Sequence, residues 1–182
     1  MPDTQLDDTE DEWVSRDPHG YFSNADDRRR VEELLAILPS ARYRRAIDLG
    51  SGNGFLTAHL PADEVIGIEV SPRAIDAARQ YQSDLWRDRP LTFVESSIWD
   101  APKFVPGPFD LIVATGSLYK RYLGNNLSWL DRTIRALAAP AATLVTCHVA
   151  EWPYWLPTAT EIDRWMYPYR SWQHELVVQV LT

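Results

Sequence analysis

The chain has one cysteine, two methionines and four histidines in 182 residues. A lone thiol, Cys147, excludes an internal disulfide and a thiolate-held metal cluster. The histidines are scattered with no H-E-x-x-H spacing, so no metal site is expected. Positive charge is also scarce, 18 Lys and Arg against 26 Asp and Glu, for a net charge of −8. A protein that grips phosphates lays basic side chains along them, and no basic stripe extends beyond Arg28-Arg29-Arg30. Nucleic acid is therefore not an expected partner. No apolar run approaches the roughly 20 residues that span a bilayer. The start, MPDTQLDDTEDE, is acidic where a secretion signal is basic and then apolar. A cytoplasmic chain with no membrane partner is the expectation, with a small molecule as its substrate. Residues 1–12 carry six acids and little to bury, which predicts a disordered acidic tail. Residues 13–182 suffice for one domain with a single sizeable core.

Glycine is concentrated where it matters. In 46–60, AIDLGSGNGFLTAHL, an apolar run with β-branched content leads into Gly50, Gly52 and Gly54, and a helix-like segment follows. Strand, glycine loop and helix make the first half of a nucleotide-binding βαβ unit, in which the loop turns with positive φ and a ligand lies against the backbone. A second buried-strand pattern over 64–70, EVIGIEV, delivers Glu69 nineteen positions after Gly50. In such folds an acid there accepts hydrogen bonds from two ribose hydroxyls. A dinucleotide fingerprint needs its third glycine at position 55, which is Phe55, and this weighs against a nicotinamide oxidoreductase.

The pattern Asp48-Leu-Gly-Ser-Gly-Asn-Gly54, joined to Gly67-Ile-Glu69-Val-Ser71-Pro, resembles the class I S-adenosylmethionine-dependent methyltransferases. The resemblance runs from about Asp17 to the C-terminus. It implies an α/β, Rossmann-like fold: a seven-stranded, mostly parallel sheet whose last strand is antiparallel, with helices on both faces. It implies S-adenosylmethionine as cofactor and S-adenosylhomocysteine as product. The cofactor-binding positions carried over are Arg30, Asp48, Gly50, Gly52, Gly54, Glu69, Val70, Ser97, Ile98 and Thr115. Within the family, Asp17, Pro18, Asp27 and Arg30 match positions of the nodulation protein S-like N-methyltransferases, with departures at His19 and Asp26. By that resemblance Arg30 pairs with the carboxylate of the methionine moiety, as a guanidinium does in two-pronged fashion. Asp48 is placed to reach the ammonium. Ser97 stands where the family carries an adenine-binding aspartate, with Asp100 as the substitute if the loop is displaced. The Ile98 N–H can still meet a ring nitrogen.

The remaining elements follow from pattern. A helix is predicted over 25–38 with Asn24 as cap, a short one over 55–59, and one from Pro72 to about Trp86 capped by Ser71. Strands are predicted over 91–96, 109–115 and 142–149, a proline-rich loop over 101–108, and a helix over 127–137 with Asn126 as cap. Trp129, Leu130, Ile134 and Leu137 are its expected inner face. Pro140-Ala141-Ala142 replaces the family's Pro-Gly-Gly, so a turn preferring positive φ must be made differently. His148, at the end of the fifth strand, is a candidate base for O-methylation, and Tyr119 a candidate to orient an acceptor amine or hydroxyl. Glu151 is a third. Trp152, Tyr154, Trp155, Trp165, Tyr167, Tyr169 and Trp172 crowd the end of the chain, read as a substrate wall at 151–157 and a closing hairpin beyond it. The expected function is methyl transfer to nitrogen or oxygen of a small acceptor such as an amino sugar, by a monomer or homodimer. The alternative is a catalytically weakened interaction module. A nucleic-acid methyltransferase is disfavoured by charge and by the lack of an N-P-P-aromatic run over 114–118.

Overall fold

The computed structural model describes residues 13–119, 126–151, 156 and 158–182. Its apolar runs pair as strands β1 (Tyr43–Leu49), β2 (Ala62–Glu69), β3 (Leu91–Glu95), β4 (Phe109–Thr115), β5 (Ala138–Val149), β6 (Thr160–Tyr169) and β7 (Trp172–Val180). Among the described residues these form one seven-stranded sheet in the order β3-β2-β1-β4-β5-β7-β6. The pairs β1–β2, β1–β4, β2–β3 and β4–β5 are parallel. β7 is antiparallel to both β5 and β6, so it alone runs against the rest. This is the mostly parallel sheet with an antiparallel last strand that the motif resemblance implies.

Helices cover both faces, which is why the central strands carry continuous apolar runs such as 111–114 instead of alternating. On one side α1 (Ala25–Ile37), the 3₁₀ turn Thr57–His59 and α2 (Pro72–Leu85) pack Leu34, Ala58, Ile75 and Ala78 against Ala46, Leu111 and Val113. On the other, α3 (Ala101–Phe104) and α4 (Leu127–Leu137) pack Ala101, Leu130, Ile134 and Leu137 against Ile47, Leu49, Ile112 and Ala114. Each fully buried Leu, Ile or Val among these contributes about 1.5–3 kcal/mol. The caps act as the sequence predicts for two helices: Asn24 accepts from Asp26 N, and Ser71 from Ala74 N with Pro72 in the first turn. Among the described residues no helix is long and apolar enough to cross a membrane.

Five local expectations need correction. The 101–108 segment is not all loop: a 3₁₀ turn, Ile98–Asp100, runs into α3, where Pro102 is tolerated because first-turn N–H groups have no intrahelical partner. The helix expected over 55–59 is only the 3₁₀ turn Thr57–His59. β5 begins at Ala138, and Ala141 itself takes the left-handed position, at φ 59°. The alanine bears a cost of roughly 1–2 kcal/mol that glycine would avoid. Trp129 is 52% exposed, because the inward stripe of α4 runs Leu130, Thr133, Ile134, Leu137 and residue 129 lies about 100° off it. Asn126 makes no side-chain cap bond.

Candidate active site

A cavity of about 200 Å³ opens at the carboxyl ends of β1, β2 and β4, where open α/β sheets bind ligands. Its floor is the loop after β1. Gly50, Gly52 and Gly54 have φ of 86°, 53° and 78°, and Gly50 N and Ser51 N donate to Ile68 O at 2.8 and 2.9 Å. A Cβ on Gly50 would stand 2.5 Å from Ser117 Cβ, and one on Gly54 2.5 Å from the Phe93 ring. At both positions the protein itself, not a ligand, occupies the space. Gly50 and Gly52 line the cavity, while Gly54 packs behind the loop against Phe93 and Ala78.

Glu69 closes β2 and is 9% exposed. Its Oε2 accepts from Gly52 N at 3.0 Å, and its Oε1 from Val70 N at 2.8 Å and Ser71 N at 3.0 Å. Three backbone donors fix the carboxylate at the cavity wall, beside Val70. An ionised carboxylate only accepts, which is the chemistry a ligand hydroxyl requires.

Deeper in, the cavity gathers polar atoms with no protein partner. Asp48 is 1% exposed, and its Oδ2 accepts from Thr57 Oγ1 at 2.7 Å. Asp48 Oδ1, Ser51 Oγ and Arg30 Nε are buried without a hydrogen-bond partner, and all three residues line the cavity. Buried polar atoms are almost always satisfied, so the Asp48 and Arg30 orphans at one cavity indicate a ligand, whereas Ser51 Oγ stands against Gly67 behind the loop. The pair carries both signs, a carboxylate on one hand and a guanidinium on the other, which suits a zwitterion. Burial pushes the Asp48 carboxyl up to about 6, with the Thr57 bond and the Arg30 charge opposing. Burial pulls the Arg30 guanidinium the other way, but Tyr21, Tyr169 and Asp27 outweigh it and raise its pKa.

Ser97 and Ile98 line the opposite end, with Trp99 beside them. Ser97 Oγ accepts from Asp100 N at 3.2 Å and donates to Asp100 Oδ2 at 3.0 Å. A hydroxyl has one donor and two lone pairs, so one acceptor position is left. Asp100 takes Lys103 Nζ at 2.6 Å, which holds its carboxyl below the usual range, and it does not line the cavity. Thr115 completes the wall with Gly116 and Ser117, whose Oγ donates to Leu49 O at 2.7 Å and ties the ends of β1 and β4 together.

The expected catalytic side chains are not brought to this cavity. His148 is 1% exposed, because Glu175 on the neighbouring strand takes its Nε2 at 3.0 Å and Arg164 in turn pairs with Glu175. Burial holds the imidazole below its ordinary pKa, against the pull of Glu175. Tyr119 is half-buried and not among the lining residues, and Glu151 is exposed. Trp152, Tyr154 and Trp155 lie outside the described residues. Of the later aromatics, Tyr167 and Tyr169 pack in the core, and Trp165 and Trp172 are exposed on the hairpin. The sequence reading missed Trp13, His19, Tyr21, Ser51, Asn53 and Trp99, all cavity residues. Density of aromatics over 13–22 was the available signal for the first three.

A glycine loop after β1, an acid ending β2 and a reversed β7 define a Rossmann-like protein that binds a nucleoside-bearing ligand. Comparison with known proteins gives the family. The family model described as "Methyltransferase domain" matches residues 42–176. The chain is 33% identical over 132 residues to trans-aconitate 2-methyltransferase of Methylobacterium radiotolerans, covering 70% of this chain and 46% of that one. Against the Streptomyces coelicolor enzyme of the same name it is 32% identical over 140 residues, covering 70% and 43%. The chain thus spans less than half the length of these curated relatives. The fold matches N-methyltransferase NodS from Bradyrhizobium japonicum in complex with S-adenosylhomocysteine, with a TM-score of 0.76, 22% identity and 97% of both chains covered. It also matches magnesium protoporphyrin IX methyltransferase from Synechocystis with bound S-adenosylmethionine, with a TM-score of 0.74, 15% identity, and 97% and 96% covered. The chain belongs to the class I S-adenosylmethionine-dependent methyltransferase family.

Proposed function

We propose that this protein transfers the methyl group of S-adenosylmethionine to a nucleophilic nitrogen of a small-molecule acceptor. The observation that carries the reading is the pair of orphaned polar atoms, Asp48 Oδ1 and Arg30 Nε, beside a Glu69 carboxylate already oriented by three backbone N–H groups. These fit the cofactor group by group. Glu69 accepts from the ribose hydroxyls, Asp48 accepts from the ammonium, and Arg30 donates to the carboxylate. Ser97 and the Ile98 N–H meet the adenine edge. The bound cofactor supplies a methyl group on a positively charged sulfur, open to in-line attack. The chain's part is to align and to exclude water, with Trp13 and Tyr21 walling one side of the cavity. An amine with its lone pair free needs no base, which agrees with a cavity that neither His148 nor Tyr119 lines.

The end-to-end match in fold to an N-methyltransferase and the net charge of −8 support an amine acceptor, an amino sugar or a comparable metabolite. The 33% identity to trans-aconitate 2-methyltransferase favours a second reading, transfer to a carboxylate oxygen. The test is to incubate the protein with methyl-labelled S-adenosylmethionine and two panels, amino sugars and unsaturated polycarboxylic acids, and identify labelled products by mass spectrometry. Label on an amine supports the first reading and label as a methyl ester the second. The interaction-module alternative is disfavoured by a cavity that keeps its polar groups in place, and it returns if neither panel nor solvent takes the label.

A further inference from the structure

Helix α1 buries a charged pair on its inner face. Asp27 is fully buried and Arg30 nearly so, and Arg30 Nη2 lies 3.4 Å from Asp27 Oδ1. The carboxylate takes two more partners from the far end of the chain: Tyr169 Oη donates to Oδ1 at 2.7 Å, and Arg170 Nη2 to Oδ2 at 3.2 Å. Arg170 Nη2 also donates to the backbone oxygen of His19 at 2.7 Å. One buried carboxylate therefore joins α1, the turn between β6 and β7, and the N-terminal segment whose Trp13, His19 and Tyr21 wall the cavity.

Stability alone does not call for this arrangement, since well-packed apolar residues usually serve as well as a buried ion pair. Its consequence is directional. The Arg30 guanidinium is held between the rings of Tyr21 and Tyr169, whose centroids lie 5.2 and 5.5 Å away, and its Nε is left without a partner at the cavity. Asp27 answers one positive charge of the two that flank it. The excess charge of the Arg30–Asp27–Arg170 cluster matches one ligand carboxylate.

We infer that Asp27, assisted by Tyr169 and Arg170, is a positioning residue for the amino-acid end of the cofactor. It aims Arg30 at the cavity and, through Arg170, fixes the wall beside it. The inference rests on the proposed function, specifically on Arg30 as donor to the ligand carboxylate.

The test compares S-adenosylhomocysteine with 5′-methylthioadenosine, which keeps the adenosine and the sulfur but has no amino-acid group. Both are titrated calorimetrically into wild type, Arg30→Ala, Asp27→Asn and Tyr169→Phe. Wild type prefers S-adenosylhomocysteine, and Arg30→Ala loses that preference. Asp27→Asn weakens S-adenosylhomocysteine by about tenfold and 5′-methylthioadenosine by less than about twofold. Tyr169→Phe, which keeps every charge and the ring, gives a loss of about threefold confined to the same ligand. If Asp27→Asn does not fold, Tyr169→Phe decides. Equal losses for both ligands would mean Asp27 only supports the fold, and a preference kept in both variants but lost in Arg30→Ala would overturn the inference alone. Wild type that binds no S-adenosylhomocysteine would instead overturn the function beneath it.

Discussion

Asp48→Asn should make the ligand-free protein more stable near neutral pH while weakening ligand binding, an opposition that few structural substitutions produce. Burial holds the Asp48 carboxyl at about 6, against an ordinary 3.8. The folded state thus favours the protonated form. Stability from this group is fully present below about pH 4 and is lost as pH rises through about 6. The difference of roughly two units corresponds to about 3 kcal/mol at neutral pH. A neutral isostere keeps the bond from Thr57 and removes that burden, so Tm near pH 7.5 should rise by several degrees, at about 2–4 °C per kcal/mol for a chain of this size. Binding runs the other way. If the ammonium of the ligand needs ionised Asp48, the competent fraction falls about tenfold between about pH 7 and pH 5, and affinity for S-adenosylhomocysteine falls with it. In Asp48→Asn affinity should be low and nearly flat over that range. Differential scanning fluorimetry and calorimetric titration read the two halves separately. A Tm that drops at neutral pH, together with wild-type affinity independent of pH, would refute both the burial argument and the role of Asp48 Oδ1.

Three further outcomes follow from the geometry. Gly50→Ala sets a Cβ 2.5 Å from Ser117 at a φ of 86°, so it should cost about 1–3 kcal/mol of stability and most of the ligand affinity, read by denaturant melts and titration. Ser97→Ala removes a hydroxyl whose one free position is an acceptor. S-adenosylhomocysteine should bind about fivefold more weakly, while its 6-oxo analogue S-inosylhomocysteine, which has no amino group to offer, should be unaffected. His148→Gln removes the imidazole partner of the buried Glu175, which keeps only Arg164, so Tm should fall, whereas turnover per folded molecule should stay near wild type because His148 does not line the cavity.

Local signals were legible and distant ones were not. β4 and α4 have the bounds the sequence predicts, Phe109–Thr115 and Leu127–Leu137, because Pro108 and Gly116 punctuate the first and a strong apolar stripe fixes the second. The glycine loop and Glu69 were readable because their spacing is a local property of one βαβ unit. Ala141 was not readable as a left-handed residue, since its conformation is imposed by the jump in β4–β5 register from Ala138 to Thr143. His148 sits at the end of β5 as expected, but its pairing with Glu175 depends on which strand lies alongside. The buried Asp27 shows the limit most plainly: the sequence marks it as a motif position, yet its partner Tyr169 lies 142 residues away. No window of the chain contains both.

The central claim is that the cavity beside Glu69 holds S-adenosylmethionine. The most direct measurement is calorimetric titration of wild type and Glu69→Ala with S-adenosylhomocysteine, with NADH in parallel. The account predicts micromolar binding to wild type, loss of at least about tenfold in the variant, and no response to NADH. Wild-type binding that survives Glu69→Ala unchanged, or no binding of S-adenosylhomocysteine at all, would contradict it.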